Sequence, residues 1–386
     1  MRLLFINYEF PPQGGGAGFA MLALADELVA RGHEIDILTG SSTDAADPQH
    51  RDGVRIHRVR SFRRGVHDVG IAGALSFLVS AALELSQLCS RRRYDALHYY
   101  FGIPTGLLSR LPGAHGLRPY VLSLRGSDVP GYDPKLTRLH RLLWPATKRV
   151  WHGAYRVVAN SEGLRQIALA ADAGQRVEVI HNGIATATPA PRAYSAGTLR
   201  VLAVSRLIQR KGLDTLIRAI ALLRGEPVSV VIAGDGPQRE SLSALARQLG
   251  VDNRITFKGF LPQLALAQEH LDCDVFVLAS HSESCSMALL HAMGAGLPVI
   301  ASRVGGTPEL VRHERNGLLF SAGSEVELAA ALRLLLREPA RGVAYGAANI
   351  ALSRDVHSWG AVASRYEALF QAATADSTGA ARKVLV

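Results

Sequence analysis

The sequence alternates between short apolar runs and longer helical patterns, and this alternation occurs twice along the chain. One series ends near residue 182, and the second begins at Leu199–Val204. Strands that alternate with helices are typical of parallel sheets covered by helices, so the pattern predicts an α/β fold. The runs predicted as strands are Leu3–Asn7, Glu34–Leu38, Val54–Val59, Ala96–Tyr99, Tyr120–Leu124, Arg156–Ala159, Val177–Ile180, Leu199–Val204, Ser229–Ala233, Arg254–Phe257, Asp274–Leu278, Val299–Ala301 and Gly317–Phe320.

A break between the two series predicts a domain boundary. Asn182-Gly183 is a turn dipeptide, and residues 185–198 carry two prolines and no periodicity, which indicates a linker. A chain of 386 residues is also long enough for two domains, with a cleft between them that suits a ligand. The predicted parts are a first domain at 1–188, a second domain at 189–356, a late helix at 357–373 and a disordered tail at 374–386.

Charge and cysteine content exclude several classes of protein. The net charge of +10 is spread over both halves, whereas a nucleic-acid-binding protein usually concentrates its basic residues. The three cysteines, Cys89, Cys273 and Cys285, form no disulfide framework and indicate a reducing compartment. The apolar run before Asn7 is too short for a signal peptide. We therefore expect a cytoplasmic protein with no nucleic-acid partner.

The longest apolar stretch is Ile71–Leu88, and polar residues interrupt it. This predicts an amphipathic or buried helix rather than a membrane span. Basic residues cluster at Arg91–Arg93 and between Arg138 and Arg149. Two interpretations of these clusters stay open: a solvated helical face, and a patch that contacts a membrane or a phosphate.

A glycine-rich loop joins the first predicted strand to the first predicted helix. Gly14, Gly15, Gly16 and Gly18 would let backbone N–H groups approach a phosphate or a sugar at a helix N-terminus. The spacing does not match the dinucleotide-binding fingerprint, and the sequence contains no P-loop motif. A flexible turn is the alternative interpretation.

Two further turns follow strands of the second domain. Arg206 and Lys211 precede a helix and could converge on one anionic group, to which the helix dipole would add. The alternative is a cationic loop in solvent. Gly234 and Gly236 also lie between a strand and a helix, where a tight turn is the alternative.

The polar run from Ser280 to Ser286 lies between two buried elements, where polar side chains without partners would be costly. This favours a function for the run. His281, Glu283 and Cys285 alternate within it, but their spacing matches no zinc pattern. Cys285 also lacks an identifiable orienting group, which argues against a nucleophile.

A further glycine turn, Gly305-Gly306, precedes a predicted helix start at Thr307-Pro308. Its backbone N–H groups could bind an anion. Glu309 lies in the first turn of that helix, where its alternative role is to complement the helix dipole.

Taken together, these segments resemble the family 4 retaining glycosyltransferases of GT-B fold, over nearly the whole chain. The most specific parts are Arg206 with Lys211-Gly212, Ala233–Pro237, Glu283 with Ala292-Met293, Gly296–Ser302 and Gly305–Glu309. The resemblance implies two Rossmann-like doubly wound domains that face each other across a cleft. It also implies that the first binds the acceptor, that the second binds a nucleotide sugar, and that the C-terminal helix crosses back to the first domain.

The resemblance further implies the roles of individual residues. The predicted catalytic residues are Arg206 and Lys211, which would stabilise the leaving diphosphate, and Glu283, which would contact the sugar hydroxyls. The predicted donor-binding residues are Gly15, Gly16, Gly234, Gly236, Ser284, Cys285, Ser286, Met287, His291 and Glu309. The predicted acceptor-side residues are His98, Tyr100, Arg125, Asp128 and Asn182. Fixed cations act where charge develops, so no metal ion and no cofactor are expected.

The chain departs from the family pattern at four positions. His291 stands where a glutamate usually binds the ribose, and a histidine cannot accept the paired hydrogen bonds that a carboxylate does. Tyr100 replaces the second histidine of a His-x-His pattern, and Ala185 stands where an acid is usual. Arg125 replaces the histidine of a His-Gly motif and suits an anionic or phosphate-linked acceptor.

We therefore predict a retaining, metal-independent glycosyltransferase of polysaccharide biosynthesis. It would move a sugar from a nucleotide sugar, in the first instance a UDP-sugar, to a glycan or lipid-linked glycan. It would act in the cytoplasm, in peripheral contact with the inner face of a membrane. Two alternatives stay open: a non-catalytic subunit that kept the fold, to which His291 and Tyr100 point, and an epimerase of the same fold, which would need acid/base residues near the sugar.

Overall fold

The computed structural model describes residues 1–11, 14–41, 53–62, 70–111, 119–184 and 197–384, with side chains up to residue 376. The chain divides into two compact units. Unit 1 comprises Met1–Gly183 together with Trp359–Val386, and unit 2 comprises Ile184–Ser358. The predicted linker lies outside the described residues, apart from residues 197 and 198, and so does the predicted boundary between residues 188 and 189.

Unit 1 is built on one parallel sheet. Its strands in the described residues are β1 (Arg2–Asn7), β2 (Glu34–Ser41), β3 (Val54–Arg60), β4 (Ala96–Tyr100), β5 (Tyr120–Leu124), β6 (Arg156–Ala159) and β7 (Val177–Val179). Their order in the sheet is β3-β2-β1-β4-β5-β6-β7, and all neighbouring pairs are parallel. The central strands are apolar on both faces because helices cover both.

The helices of unit 1 that precede unit 2 cover both faces of this sheet. They are α1 (Gly16–Ala30), α2 (Gly70–Arg91), α3 (Thr137–Gly153) and α4 (Glu162–Ala171), with short 3-10 helices at Thr105–Arg110 and Pro134–Leu136. On one face, Met21 and Leu24 of α1 pack with Phe5 of β1. On the other face, Phe77 of α2 and Trp151 of α3 share a second apolar core.

Unit 2 repeats this architecture. Its strands are β8 (Leu199–Val204), β9 (Val228–Ala233), β10 (Ile255–Gly259), β11 (Val275–Leu278), β12 (Val299–Ser302) and β13 (Gly317–Phe320). Their order is β10-β9-β8-β11-β12-β13, again with parallel neighbours. Its helices are α5 (Leu213–Leu222), α6 (Arg239–Gln248), α7 (Gln263–Asp272), α8 (Met287–Gly294), α9 (Thr307–Leu310), α10 (Glu325–Arg337) and α11 (Pro339–Asp355). The predicted α/β class and the Rossmann-like form of both units are confirmed.

The last helix, α12 (Trp359–Val384), belongs to unit 1, as the resemblance implied. It contacts α1, β4 and β5, and its Tyr366 and Phe370 lie in the core that contains Phe5. The tail predicted to be disordered from residue 374 instead continues this helix to Val384. Residues 375–384 include several alanines, the best helix formers, and their one glycine costs only about 1 kcal/mol in a helix interior.

The chain leaves unit 1 after Gly183 and returns to it at Trp359. A Cβ atom on Gly183 would lie 2.5 Å from the indole of Trp359, so a side chain at this position would collide with the ring. Within unit 2, Ile184 and Ser358 form a parallel β-bridge, and the Ile184 N–H donates to the carbonyl oxygen of His357 at 2.7 Å. Both ends of unit 2 are therefore held together.

Candidate active site

The loops that carry the predicted donor-side residues lie together at one edge of unit 2. Strands β9, β8, β11 and β12 are neighbours in that order. Because parallel strands end at the same edge of a sheet, the loops after Ala233, Val204, Leu278 and Ser302 are adjacent. This edge is where α/β sheets bind their ligands.

Lys211 and Glu283 form an ion pair at this edge. Lys211 Nζ lies 2.5 Å from Glu283 Oε2, and the two side chains are only 13% and 12% exposed. The hydroxyl of Ser280 donates to the same carboxylate oxygen at 3.1 Å. A charge-assisted hydrogen bond with so little solvent around it restricts both side chains. The structure thus brings together two of the three predicted catalytic residues, 72 positions apart in the sequence.

Two glycines fix the backbone beside this pair. Gly212 has a φ of 59°, and a Cβ atom there would lie 2.1 Å from the carbonyl oxygen of Ala279. Gly305 has a φ of 48°, and its Cβ would lie 1.8 Å from the carbonyl oxygen of Glu283. That oxygen also accepts the N–H of Gly306 at 3.2 Å. Only glycine fits both the backbone conformation and the close approach, so these positions hold the loops of Lys211 and Glu283 in place.

Gly234 and Gly236 hold a second pair of loops together. A Cβ atom on Gly234 would lie 1.9 Å from the carbonyl oxygen of Ser205, and one on Gly236 would lie 2.6 Å from that of Leu207. The Leu207 N–H donates to the carbonyl oxygen of Asp235 at 2.9 Å. The turn after β9 is therefore fixed against the loop that carries Arg206. Direct contact of these two glycines with a donor stays a prediction.

Arg206 is half-buried in the loop after β8. Within the described part of the chain, its guanidinium has no hydrogen-bond or ion-pair partner. The hydroxyl of the neighbouring Ser205 is buried and likewise has no partner among those residues. Because an arginine side chain stays charged at any physiological pH, this loop presents a positive charge that no described carboxylate neutralises.

The segment before α8 forms a capped helix N-terminus. The Ser286 hydroxyl accepts the N–H of Leu289 at 3.3 Å. Ser284 and Cys285 are buried, and Cys285 belongs to the apolar core that contains Leu289. Met287 is half-buried as the first residue of the helix. A donor could therefore contact Cys285 only through its backbone, which suits an anion at a helix N-terminus.

His291 lies on α8 at the surface of unit 2. Desolvation by the surrounding protein atoms, together with the nearby His270, lowers the pKa of His291 to about 4. The ring is therefore neutral at neutral pH and offers one hydrogen-bond donor and one acceptor. Its contact with a ribose stays a prediction, and the same is true of the donor contact of Glu309, which is half-buried in α9.

A metal site at the alternating residues finds no support. His281 is exposed, whereas Cys285 lies in the core. Among the residues that the structure describes, no three His, Cys, Asp or Glu side chains are grouped so that they could hold a metal ion.

The glycine loop of unit 1 already binds an internal carboxylate. The Gly15 N–H donates to Glu9 Oε2 at 2.9 Å, immediately before α1, whose first residue is Gly16. Gly14 has a φ of 100°, and a Cβ atom there would lie 2.5 Å from the Cβ of Glu9. A carboxylate is favourable at a helix N-terminus. Glu9 therefore engages the Gly15 N–H in this structure, and donor contact of Gly15 and Gly16 stays a prediction.

His98 and Tyr100, predicted to contact the acceptor, lie inside unit 1 with no exposed surface. Strand β4 is internal to the sheet, and α12 covers this face. His98 Nε2 lies 2.8 Å from the Ser123 hydroxyl, which in turn lies 3.0 Å from the Tyr366 hydroxyl. Burial, together with the charge of Arg125, holds the pKa of His98 well below its usual value. These two residues are therefore core residues, which corrects the prediction.

Asp128 is also a structural residue. Its carboxylate is buried and accepts the backbone N–H groups of Gly102, Arg125 and Gly126 at 2.7, 2.9 and 3.0 Å. Burial raises the pKa of Asp128, and these backbone donors oppose that rise. Its hydrogen bonds shape the loop after β5, so direct contact with an acceptor is not its role in this structure.

Arg125 and Asn182 remain the candidate acceptor-side residues of unit 1. The guanidinium of Arg125 stacks over the ring of Tyr100 at 4.5 Å, and its Nη1 donates to Asn182 Oδ1 at 2.8 Å. Arg125 is half-buried, whereas Asn182 is 6% exposed. These contacts hold the arginine in one orientation.

Three residues near these sites were not identified from the sequence. Ser280 binds the Glu283 carboxylate, and Glu9 binds the glycine loop. Tyr366 hydrogen-bonds to the Ser123 hydroxyl of β5. Ser280 begins the polar run that the sequence predicts to be functional, so the sequence carries a signal for it. Glu9 carries a weaker signal, as an acid between a strand and a glycine loop. No local signal connects Tyr366 with His98.

The fold and this edge of unit 2 define a sugar-transferring enzyme. Two family models match the chain: residues 15–183 match the glycosyl transferase 4-like domain, and residues 191–349 match the glycosyl transferases group 1. The chain belongs to the family 4 glycosyltransferases of GT-B fold. This confirms the predicted family, fold and enzyme class, a glycosyltransferase that uses a nucleotide sugar, and favours transfer over both alternatives.

Two curated relatives span nearly the full length. A GDP-mannose-dependent alpha-(1-6)-phosphatidylinositol monomannoside mannosyltransferase of Mycolicibacterium smegmatis is 27% identical, with 92% of this chain and 95% of the relative covered. A D-inositol 3-phosphate glycosyltransferase of Kineococcus radiotolerans is 29% identical, with 94% and 91% covered.

Solved structures agree on the fold. Sucrose-phosphate synthase from Thermosynechococcus elongatus has a TM-score of 0.84 at 20% identity, with 97% of this chain and 100% of that chain covered. Anabaena HepE in complex with UDP-glucose has a TM-score of 0.73 at 23% identity, with 96% and 100% covered.

Proposed function

We propose that this glycosyltransferase cleaves a nucleoside-diphosphate sugar at the edge of unit 2 that carries Arg206, Lys211 and Glu283. The observation that carries the proposal is the Lys211–Glu283 pair, held by glycine contacts beside the unneutralised Arg206. A diphosphate that competes for Lys211 Nζ would release Glu283 Oε2, which could then accept a hydrogen bond from the sugar.

The chemistry follows from where charge develops. Cleavage of the sugar–phosphate bond builds negative charge on the diphosphate and positive charge on the sugar. Fixed cations directed at the leaving group stabilise that transition state without reorganisation. Arg206 and Lys211 supply this charge, so we propose metal-independent transfer. We also propose retention, in which the acceptor attacks from the face that the diphosphate leaves.

The acceptor proposed here carries a phosphate. The relatives named above act, by their names, on a phosphatidylinositol monomannoside and on D-inositol 3-phosphate. Arg125 is held half-buried by Tyr100 and Asn182, and a fixed guanidinium is well suited to a phosphate. A lipid-linked acceptor would place the enzyme at the cytoplasmic face of a membrane.

The test is a panel of UDP-, GDP- and ADP-sugars, with and without the corresponding diphosphates. We expect one nucleoside diphosphate to raise the melting temperature of the protein. The nucleotide sugar with the same base should be hydrolysed, also in the presence of EDTA. UDP is the sequence-based expectation for the base, and the mannosyltransferase relative makes GDP the main competitor. If no diphosphate shifts the melting temperature, the donor site is misassigned. Loss of activity with EDTA would refute metal independence.

A further inference from the structure

Helix α2 exposes a long apolar stripe. Ile71, Leu75, Val79 and Leu83 are 71%, 58%, 66% and 67% exposed, and their four-residue spacing places them along one side of the helix. The other side of α2 packs into unit 1 through Phe77, Ala81, Leu85 and Leu88. By length and composition alone, α2 could cross a membrane, but this packing makes it part of the folded unit. A contiguous exposed apolar surface of this kind marks an interaction site.

Helix α3 supplies basic residues on the same face of the sheet. Both helices contact the 3-10 helix Thr105–Arg110 and share one apolar core with it. Helix α3 contains no acidic residue, and its exposed residues include Arg138, Arg141, Arg149 and Leu142, the last 76% exposed. In the described residues, none of these three arginines has an ion-pair partner.

We propose that the exposed residues of α2 and α3 form a docking surface for an anionic lipid bilayer, here called the α2–α3 face. The apolar side chains enter the boundary between headgroups and acyl chains, and the arginines bind anionic headgroups. The proposal deepens the proposed function by naming the surface through which unit 1 reaches a membrane-bound acceptor. Its test needs no sugar substrate, so the two can fail separately.

Charge selects a bilayer over a second copy of the chain. In a symmetric dimer through this face, the arginines of two α3 helices would approach one another, and like charges across an interface are unfavourable. The protein as a whole carries a net charge of +10, which adds to the repulsion. An anionic lipid surface attracts the same residues.

The experiment is flotation of the full chain with vesicles of phosphatidylcholine alone and of phosphatidylcholine with about one third phosphatidylglycerol. One variant combines Leu75→Ser with Leu83→Ser, and another combines Arg138→Gln, Arg141→Gln and Arg149→Gln. The control for the first is Leu264→Ser, 87% exposed on α7 of unit 2. The control for the second combines Arg218→Gln, Arg247→Gln and Arg337→Gln, three exposed arginines of unit 2.

We expect the wild type to float with anionic vesicles only, and less so as salt is raised. Loss of three arginines should weaken vesicle binding roughly 100-fold, since each basic residue contributes about a factor of five. The serine variant should lose most binding, and both controls should bind like the wild type. Donor hydrolysis in solution should persist in the serine variant, which reports that unit 2 is folded, and its unfolding transition in urea should match that of the wild type, which reports that unit 1 is folded too.

Three results would overturn the proposal. The first is equal vesicle binding by the wild type and both α2–α3 variants. The second is a wild-type dimer, measured by light scattering, that the serine variant converts to a monomer, because a second copy would then cover the stripe. The third is a bound fraction that only detergent can release, which would indicate insertion of α2 across the bilayer. Absence of donor hydrolysis in every protein would count against the proposed function instead.

Discussion

The same edge of two similar parallel sheets has been used in different ways. In unit 2, Lys211 and Glu283 remain partly exposed, and close glycine contacts fix the backbone of their loops. In unit 1, His98 and Tyr100 lie within β4, and α12 covers this face of the sheet. The half-buried Arg125 keeps a positive charge at that edge. The comparison teaches that a polar residue at this edge can meet a substrate only where no further element covers it.

The largest expected effect is on the Lys211–Glu283 ion pair of unit 2. Lys211→Ala removes a cation from the leaving group and should lower kcat/KM for transfer by about 10²–10³-fold. The control is Lys258→Ala, because Lys258 also pairs with a buried glutamate, Glu269, in the same unit. The measurement is steady-state transfer with the donor found by the panel. Equal losses in the two variants would show that the site pair has no special role.

Activity should be nearly as sensitive to the close contact between Gly305 and the carbonyl oxygen of Glu283. Gly305→Ala should lower kcat/KM roughly 10- to 100-fold, because displacing a positioned group by about 1 Å has an effect of this size. Gly250→Ala provides the control: Gly250 also has a positive φ, 67°, but nothing within 4 Å of its added Cβ. Gly250→Ala should lose about 1 kcal/mol of stability from backbone strain, and Gly305→Ala should lose more, because its added Cβ would also collide with the Glu283 carbonyl oxygen. Only Gly305→Ala should lose activity, so a matched loss in both would contradict the contact argument.

A change in unit 1 should affect the KM for the acceptor. Arg125→Ala should raise the KM for a phosphate-bearing acceptor about tenfold, equivalent to one charge-assisted hydrogen bond of roughly 1.5 kcal/mol. The acceptor KM of Arg125→Lys should lie between those of the wild type and Arg125→Ala, since lysine keeps the charge and loses the planar stacking on Tyr100. Acceptor-dependent kinetics at saturating donor measure this. An unchanged acceptor KM in Arg125→Ala would reject an anionic acceptor at this residue.

The smallest effect concerns the buried histidine of unit 1. The pKa of His98 is depressed in the folded state, so below the ordinary value of about 6.5 the unfolded chain binds more protons than the folded one. Stability is therefore lost as pH falls, by up to about 1 kcal/mol between pH 6.5 and 5.5. In urea denaturation, the stability advantage of the wild type over His98→Gln should shrink across that range. A constant difference would mean that folding does not lower the pKa of His98, which would contradict the prediction.

The fold could be predicted from the sequence because most strands of both sheets lie in apolar runs, with helical patterns between most of the runs. The strand ends differ by a few residues, for example Gly259 rather than Phe257 in β10. The positions of Arg206, Lys211 and Glu283 could be predicted too, since each follows a strand and parallel strands end together. Their predicted roles rest on the resemblance.

Most of the parts that could not be predicted depend on contacts distant in sequence. The pairing of Lys211 with Glu283 joins residues 72 positions apart. The burial of His98 depends on Tyr366 and Phe370, which arrive from the other end of the chain. Glu9 is local to the glycine loop, but the sequence does not show that its side chain turns back onto Gly15.

The return of α12 to unit 1 has a consequence for synthesis of the chain on the ribosome. Unit 2 is a continuous segment whose ends are joined at Ile184 and Ser358, so it can complete its core as soon as that segment has emerged. Unit 1 begins first but needs Tyr366 and Phe370 to close one of its cores. The amino-terminal unit is therefore finished after unit 2, and until α12 has emerged part of one face of its sheet stays open to chaperones and proteases.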